Sequence, residues 1–591
     1  MRKEVFCLQY GHPEAKFISF SKYFLCMNKI KSYILSEASK ALGIKDIELE
    51  TPPKPELGDY AVHCYKLSKS LKKQPRDIME ILLGKIKKSH YISDIKQIGP
   101  YVNFFVNNHF LAEDTLRRII AEKERFGSSL IGSKKKVLIE HTSINPNASP
   151  HVGRARNAII GDSITRILRF NGYDVEVHYF VNDVGKQIAM LVLGCRNKKV
   201  SFSKLLDIYV DINEKAESNP EIEKEVLSIL SSLEHGDKDI VKIFKDVVDI
   251  CIKGQVEILS QLGIKYDFFD YESKYLWNKQ TEKILAMLKK TGKLFEDDEG
   301  RLVVNLEGYE LGIDSPVIVL TRADKTSLYP LRDIAYTLEK ISKKCERNIL
   351  ILGEDQKLYF QQLKAVLDIL GYKAPEIVHY SFVLLQDSDE NEKAVKMSTR
   401  EGNVVLLEDF LKEAFAKAEN EVNKRLQENE KDTRKIAMMI ANSAIKYSIL
   451  KVSPEKNVMF NLGKALSFEG DTGPYLLYAH VRMNSIIEKF GRDIPVDADF
   501  KGLVSSQEAE LVKLLGEFPD IVEKALEQLR PHLVANYLYH LAQSFNDFYH
   551  NCHVISTDEK LTDARIVLVN CSRYVLANGL RILGIEPVER M

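Results

Sequence analysis

Residues 134–181 impose the tightest constraint on any fold this chain can adopt. Three lysines at 134–136 precede "VLIEHTS" (137–143), a short apolar strand. The strand runs into "INPNASPHVG" (144–153), where prolines, asparagines and a glycine crowd together. A helix over about 154–170 follows, with Ile160, Ile164, Ile167 and Leu168 on one face at helical spacing. "YDVEVHYFV" (173–181) then alternates like a strand. Strand, loop, helix, strand is a βαβ unit, which requires a parallel sheet. "SPVIVL" (315–320) and "NILIL" (348–352), separated by the helical "RDIAYTLEKIS", supply the second half of a doubly wound sheet. The fold class that follows is α/β, with a Rossmann-like, doubly wound parallel-sheet catalytic domain.

The flanks read differently. A chain of 591 residues holds about three or four domains. Residues 1–26 lack both a clear period and the apolar core of a signal peptide. They read as a poorly ordered extension or an upstream alternative start, with an organelle-targeting segment as the other reading. Residues 27–128 form a small N-terminal α+β domain. Its helices are expected at 28–42 and near 61–72 and 75–88, with a strand at 98–107 and a modest basic face from Lys69, Lys72 and Lys73. The catalytic domain is expected over 129–404, interrupted at about 196–290 by a charged helical insertion. A helical connective region covers 405–460, and a C-terminal all-helical bundle covers 461–591. Leu533, Tyr537, Leu541, Phe545 and Phe548 form one stripe of that bundle's core.

Composition mostly excludes. Apolar residues make up 45% and charged residues 28%, which rules out gross disorder. A formal net charge of zero carries no nucleic-acid signal, so any basic surface is a local patch. The eight cysteines form no CxxC pair, so a zinc ribbon is unsupported and a reducing, cytoplasmic setting is expected. No apolar run is long enough to span a bilayer.

The chemistry gathers in two loops. A loop leaving the first strand of a parallel sheet and entering a helix sits where such folds bind ligands. Free N–H groups at a helix start favour anions. Gly153 lets the backbone approach a ligand closely, and Pro150 fixes the approach to His151. His151 would then point a ring N–H at a phosphate. For H-x-G alone, an ordinary loop histidine and a turn glycine remain open. "VKMSTREGNV" (395–404) carries Lys396, Ser398, Thr399 and Arg400 ahead of Gly402. Such a loop suits a polyphosphate, whose charge grows on the leaving group in the transition state. Alone, it could equally be a solvated basic loop.

Together the two loops resemble the paired signatures of class I aminoacyl-tRNA synthetases, H-x-G-x after the first strand and K-M-S-x-R after the last. The resemblance narrows to arginyl-tRNA synthetases. It is carried by "NPNASPHVGRARNAIIGDSI", "VHYFVNDVGKQIA", "LYPLRDIAY", "KMSTREGNVV", "FEGDTGPYLLYAH" and "GLRILGIEPVERM". "PELGDYA" and "GPYVNFF" look like that family's N-terminal tRNA-contacting module, and "ANYLYHLAQSFNDFYHNC" like its anticodon-binding domain.

The resemblance implies ATP-dependent ligation of L-arginine to its tRNA through an arginyl-adenylate, with activation itself requiring bound tRNA. It implies ATP and Mg²⁺, tRNA contacts at anticodon and elbow, and a monomer. His151 would stabilise the α-phosphate, Gly153 would admit adenine and ribose, and Lys396 and Arg400 would hold the β- and γ-phosphates, with Ser398 in the same motif. A guanidinium is a planar five-donor fork, so its pocket needs acceptors. Glu140 and Asp333 match the family positions for that task, with Tyr329 closing one side. Asn145 and Gln356 match positions that hold the α-amino group. Without the resemblance, Glu140 reads as a strand-end salt bridge and Asp333 as a helix N-cap.

Two positions depart from the family pattern. Arg154 stands where a second histidine is usual, and Thr399 where most class I enzymes carry a second lysine. Two rival functions follow: a class I synthetase for another amino acid, and a tRNA-binding paralogue without chemistry. The missing zinc-type Cys/His set argues against a cysteine enzyme. Intact His151, Gly153, Lys396 and Arg400 argue against the paralogue.

Overall fold

Val137, Leu138 and Ile139 are fully buried, as a strand covered on both faces must be. The structure, a computed structural model, describes residues 29–196, 200–385, 395–396, 405–425 and 430–591. The expectation for residues 1–26 therefore lies outside the described residues. The chain divides into two units at Leu111 and Ala112.

In the first unit, helices Lys29–Leu42, Cys64–Leu71 and Pro75–Lys85 accompany a four-stranded antiparallel sheet. The "PELGDYA" and "GPYVNFF" motifs meet in it, with Tyr60 opposite Phe104 and His63 opposite Tyr101. Gly58 has φ +107°, and a Cβ there would lie 3.1 Å from the Phe104 carbonyl oxygen. Asp59 beside it accepts from Val106 N at 2.7 Å.

The second unit is built on strands β1 (Lys136–Glu140), β2 (Asp174–Val181), β3 (Phe268–Tyr271), β4 (Arg347–Gly353) and β5 (Glu376–Tyr380). Their order is β5-β4-β1-β2-β3, all parallel, with Ile139 opposite both Ile349 and Val177. The chain runs outward from β1 to one side and later to the other, so the switch point lies between β1 and β4. Helix α1 (Val152–Phe170) crosses from β1 to β2, α2 (Tyr329–Ser342) precedes β4, and α3 (Lys357–Ile369) follows it. The four predicted apolar positions of α1 are all buried. Each such side chain contributes about 1.5–3 kcal/mol on burial.

Three expectations change. "SPVIVL" forms a strand, Val317–Val319, but it belongs to a separate antiparallel sheet with Leu294–Glu296 and Leu302–Asn305. Only a short, glycine-containing turn separates Asn305 from Val317, too little chain for the crossover that a parallel pairing needs. The segment expected as a wholly helical insertion contains β3, the edge strand of the main sheet. Helices Leu205–Ser218, Pro220–Glu234 and Lys238–Gln261 fill the rest of it before β3. The region expected to be helical from 405 contains a strand, β8 (Val458–Phe460). It forms a small sheet with β6 (Val383–Leu385) and β7 (Val395–Lys396), in the order β7-β6-β8.

Helices Gly473–Phe490, Ser506–Gln528, His532–Asn551 and Glu559–Ile582 form the C-terminal bundle. Tyr537, Leu541, Phe545 and Phe548 are buried in it as the stripe requires, and Leu533 is half-buried. No helix among the described residues is long and apolar enough to cross a membrane.

Helix α1 packs so closely on the end of β1 that a Cβ at Gly161 would fall inside the His141 ring. Both residues are buried, so neither can move aside cheaply. Gly161→Ala is expected to destabilise the protein by about 1–3 kcal/mol in denaturant unfolding, although alanine is the better helix former.

Candidate active site

The carboxyl end of β1 is held in an uncommon conformation. Thr142 has φ +83° and Ser143 φ +42°, a region that β-branched residues avoid. Thr142 is held there by its N–H and its hydroxyl, both engaged. Its N–H donates to Asn157 Oδ1 at 2.7 Å, and its hydroxyl lies 2.7 Å from Tyr266 OH and 2.8 Å from His141 Nδ1. The loop beyond is pinned from below by Gln255, which is wholly buried. Gln255 Nε2 donates to the carbonyls of Asn145 at 3.0 Å and Ala148 at 2.9 Å. The Asn145 amide donates to Gln187 Oε1 at 3.1 Å.

His151 is the N-cap of α1, in extended geometry and without a side-chain cap bond. Gly153 and Arg154 follow in the first turn, and the Arg154 side chain is exposed. His151 Nδ1 is buried and has no partner among the described residues. Burial, reinforced by the Arg154 guanidinium, pulls the imidazole down to about 4, so the ring is neutral near pH 7. The segment after the second signature returns to this point. His151 bridges Leu406, Val152 N donates to Val405 O at 3.2 Å, and Leu407 N donates to Pro150 O at 2.8 Å. Lys396 is described only as main chain in β7, opposite Leu384. Ser398, Thr399 and Arg400 lie outside the described residues.

Tyr329 and Asp333 stand one turn apart on α2. Tyr359 of α3 closes the group: its hydroxyl donates to Asp333 Oδ2 at 2.8 Å, and its ring centre lies 4.9 Å from that of Tyr329. Tyr329 is 51% exposed, so this recess is open. Burial pushes the Asp333 carboxyl up to about 6, against the lowering pull of Lys340 and the Tyr359 hydroxyl. Asp333 is therefore an acceptor in the recess. Its side chain makes no cap bond at the start of α2, whose N-cap is Leu328.

Glu140 meets a partner already in place. Its carboxylate, buried at the end of β1, accepts from the buried Lys340 ammonium at 2.5 Å. Gln356 ends a single 3-10 turn, Glu354–Gln356, at the carboxyl end of β4, and is exposed.

Sequence reasoning missed Glu272. It follows β3 directly and is 2% exposed. Arg332 Nε donates to Glu272 Oε1 at 2.6 Å. The Asn182 amide, oriented by its hydrogen-bond partners, donates to Glu272 Oε2 at 2.8 Å. Burial pushes Glu272 up to about 7 despite Arg332, with the carboxylates of Asp183 and Asp333 adding to the rise. The signal was the Glu-Ser after "FFDY", at the carboxyl end of a strand. Reading β3 as part of a helical insertion hid it. Among the described residues, no three His, Cys, Asp or Glu side chains converge as a metal cage.

The parallel sheet, the uncapped helix start at its switch point and the carboxylate-lined recess on the same edge fit the class I aminoacyl-tRNA synthetase architecture, and comparison with known proteins places the chain in that class. Three family profiles match along the chain. They are the class I (R) tRNA synthetase catalytic domain over residues 115–462, the DALR anticodon-binding domain over 476–591, and the arginyl-tRNA synthetase N-terminal domain over 28–106. An arginine–tRNA ligase of Methanocaldococcus jannaschii is 38% identical over 584 residues, covering 96% of this chain and 99% of its own. One from Archaeoglobus fulgidus is 37% identical, covering 89% and 94%. The solved arginyl-tRNA synthetase of Thermus thermophilus superposes with a TM-score of 0.81 at 27% identity, covering 95% of this chain and all of that one. The chain belongs to the arginyl-tRNA synthetase family of class I ligases.

Arg332 is the only side chain in hydrogen-bonded ion-pair contact with Glu272 among the described residues. Arg332→Leu strands a buried carboxylate, and a loss of about 3–5 kcal/mol in denaturant unfolding is expected. The loss is expected to be larger at pH 8 than at pH 6. A folded-state pKa above the unfolded value means that Glu272 escapes its penalty only while it holds a proton.

Proposed function

We propose that this chain activates L-arginine with ATP and transfers the arginyl group to tRNA. The observation that carries this reading is the Asp333 carboxyl, raised by burial and walled by Tyr329 and Tyr359 in an open recess at the carboxyl edge of the sheet. A carboxylate acceptor beside two aromatic rings suits a planar cation at the end of a long side chain. Glu140, neutralised by Lys340, serves better as a brace between β1 and α2 than as a direct acceptor. Asn145 and Gln356, on loops following β1 and β4, flank the crevice where the α-amino and carboxyl groups would lie.

The first step joins the arginine carboxylate to the α-phosphorus of ATP. An oxygen–phosphorus bond forms, the bond to the bridging oxygen breaks, and pyrophosphate leaves. His151 acts as a neutral donor to the α-phosphate, beside the free N–H groups that open α1. Gly153 leaves room for the ribose. Lys396, Ser398 and Arg400 attend the departing phosphates. In the second step a ribose hydroxyl at the tRNA 3′ end attacks the arginyl carbonyl, and AMP leaves. Positioning and charge stabilisation dominate such chemistry. The described residues offer no acidic cage for Mg²⁺, so the ion would arrive on the ATP phosphates and supply charge neutralisation there. The DALR and N-terminal matches support tRNA contacts at anticodon and elbow.

The test is aminoacylation of total tRNA with labelled arginine, lysine and citrulline, together with ATP–pyrophosphate exchange with and without tRNA. Charging with arginine alone, and exchange only when tRNA is present, are expected. Charging with another amino acid would refute the pocket assignment. Strong exchange without tRNA would refute the coupling of activation to tRNA.

Two site predictions follow from the charges. Burial lifts the Asp333 carboxyl to about 6. A bound guanidinium favours its ionised form, so binding below that value must expel a proton. The KM for arginine should therefore fall as pH rises from 5 and level off above about 6. Asp333→Asn should raise that KM on the order of 10- to 100-fold and remove that step from the profile. Arg154 is exposed beside His151. Arg154→Ala should slow single-turnover adenylate formation about tenfold or more; an unchanged rate would remove Arg154 from the phosphate site.

A further inference from the structure

We propose that Arg156 is a positioning residue that fixes the strand carrying Lys396 relative to His151; this rests on the phosphate-site reading above. Arg156 lies five residues after His151 on α1 and is fully buried. Among the described residues no carboxylate hydrogen-bonds to it. Instead its guanidinium spends itself on four main-chain carbonyls. One terminal nitrogen donates to Ser381 O at 2.7 Å and Phe382 O at 3.2 Å, the other to Lys456 O at 2.8 Å and Ser453 O at 3.1 Å. Its Nε has no partner among the described residues. Burial lowers the guanidinium to about 10, still charged at neutral pH.

The location of those carbonyls makes this a clamp. Ser381 and Phe382 lead directly into β6, and Lys456 leads into β8. Strand β6 lies between β7 and β8, pairing Leu384 with Lys396 on one side and with Met459 on the other. The guanidinium thus grips the entry of β6, which pairs with β7, and of β8 on its other side. Beyond residues 397–404, the chain is tied to Pro150–Val152 by the main-chain contacts around Leu406. Both ends of that segment are fastened to the start of α1, one by backbone and one by Arg156. A buried cation bonded to main-chain carbonyls is an expensive way to fill space, and an apolar residue would pack more cheaply. A planar fork alone spans two carbonyl pairs; a lysine ammonium is a single point and cannot.

The experiment compares the full chain with Arg156→Lys and with Asn457→Ala in steady-state aminoacylation and thermal unfolding. Asn457 is exposed, so its variant keeps the fold, and it removes the side-chain bond to Phe382 N at 3.1 Å that steadies the same junction. Arg156→Lys is expected to lower kcat/KM for ATP about 10- to 100-fold, as sub-ångström misplacement of reacting groups does, with the KM for arginine nearly unchanged. Asn457→Ala should move the same parameter in the same direction by a smaller factor. Wild-type values for ATP in Arg156→Lys would overturn the proposal. So would a lowered melting temperature with turnover per folded molecule intact, equal losses for ATP and arginine, or an Asn457→Ala chain with unchanged ATP kinetics. An inactive wild-type chain would instead overturn the functional reading itself.

Discussion

Two hydrogen bonds from one buried amide hold the site open. Asn157, in the second turn of α1, accepts from Thr142 N at 2.7 Å and donates to Ile351 O at 2.9 Å. Those partners lie just past the end of β1 and near the end of β4, where the sheet's connections reverse. Without a bridge there, diverging strands would leave buried N–H and C=O groups unpaired. With it, Thr142 is forced into the left-handed region, at a cost of order 1–3 kcal/mol. That distortion turns the chain out of the sheet toward Asn145 and then back to His151. Gln255 then holds the loop at Asn145 and Ala148, and Val405–Leu407 hold the helix start at Pro150–Val152.

The charges along the sheet edge are sorted. On the α2 side, Asp183, Glu272 and Asp333 are all raised chiefly by burial. Arg332 pairs with Glu272 and Lys340 pulls on Asp333, while the exposed face of Tyr329 leaves the recess beside Asp333 open. On the α1 side the described residues offer donors only: the N–H groups of a helix start, an imidazole held near 4 by burial, and the Arg154 guanidinium beside it.

Much of this was legible in the sequence. The βαβ unit at 134–181 was, because loop residues and a 3.6-residue period coincide there. Tyr329 and Asp333 were reached only through the family resemblance; their residues alone leave Asp333 as a helix N-cap. What escaped shares a cause. Strand β3 is four residues long inside a charged, helix-rich stretch, so no window registers its period, and Glu272 vanished with it. Val317–Val319 reads as a strand, but three residues cannot declare which sheet they join. The Lys340 partner of Glu140 lies 200 residues away, and nothing local to "VLIEHTS" announces it. Arg156 is the hardest case. An arginine amid helical polar residues looks solvated until the strands it grips are in place.

The same helix is fastened at its far side to the end of the chain. Ser163 Oγ donates to Ile582 O at 3.1 Å, and the buried Lys446 ammonium donates to Gly584 O at 2.7 Å while lying 3.7 Å from Asp162. Burial lowers Lys446 to about 8, which leaves it mostly charged near neutrality. Gly584 sits at φ +71°, and a Cβ there would press on both Lys446 Nζ and Asp162 Oδ2 at 2.7 Å. Tilting α1 against the helical bundle would therefore part the buried Lys446 from its carbonyl and carboxylate partners, a heavier penalty than sliding an apolar contact. The helix that begins at His151 is thus joined to the tail that closes the anticodon-binding bundle by buried polar contacts as well as by packing.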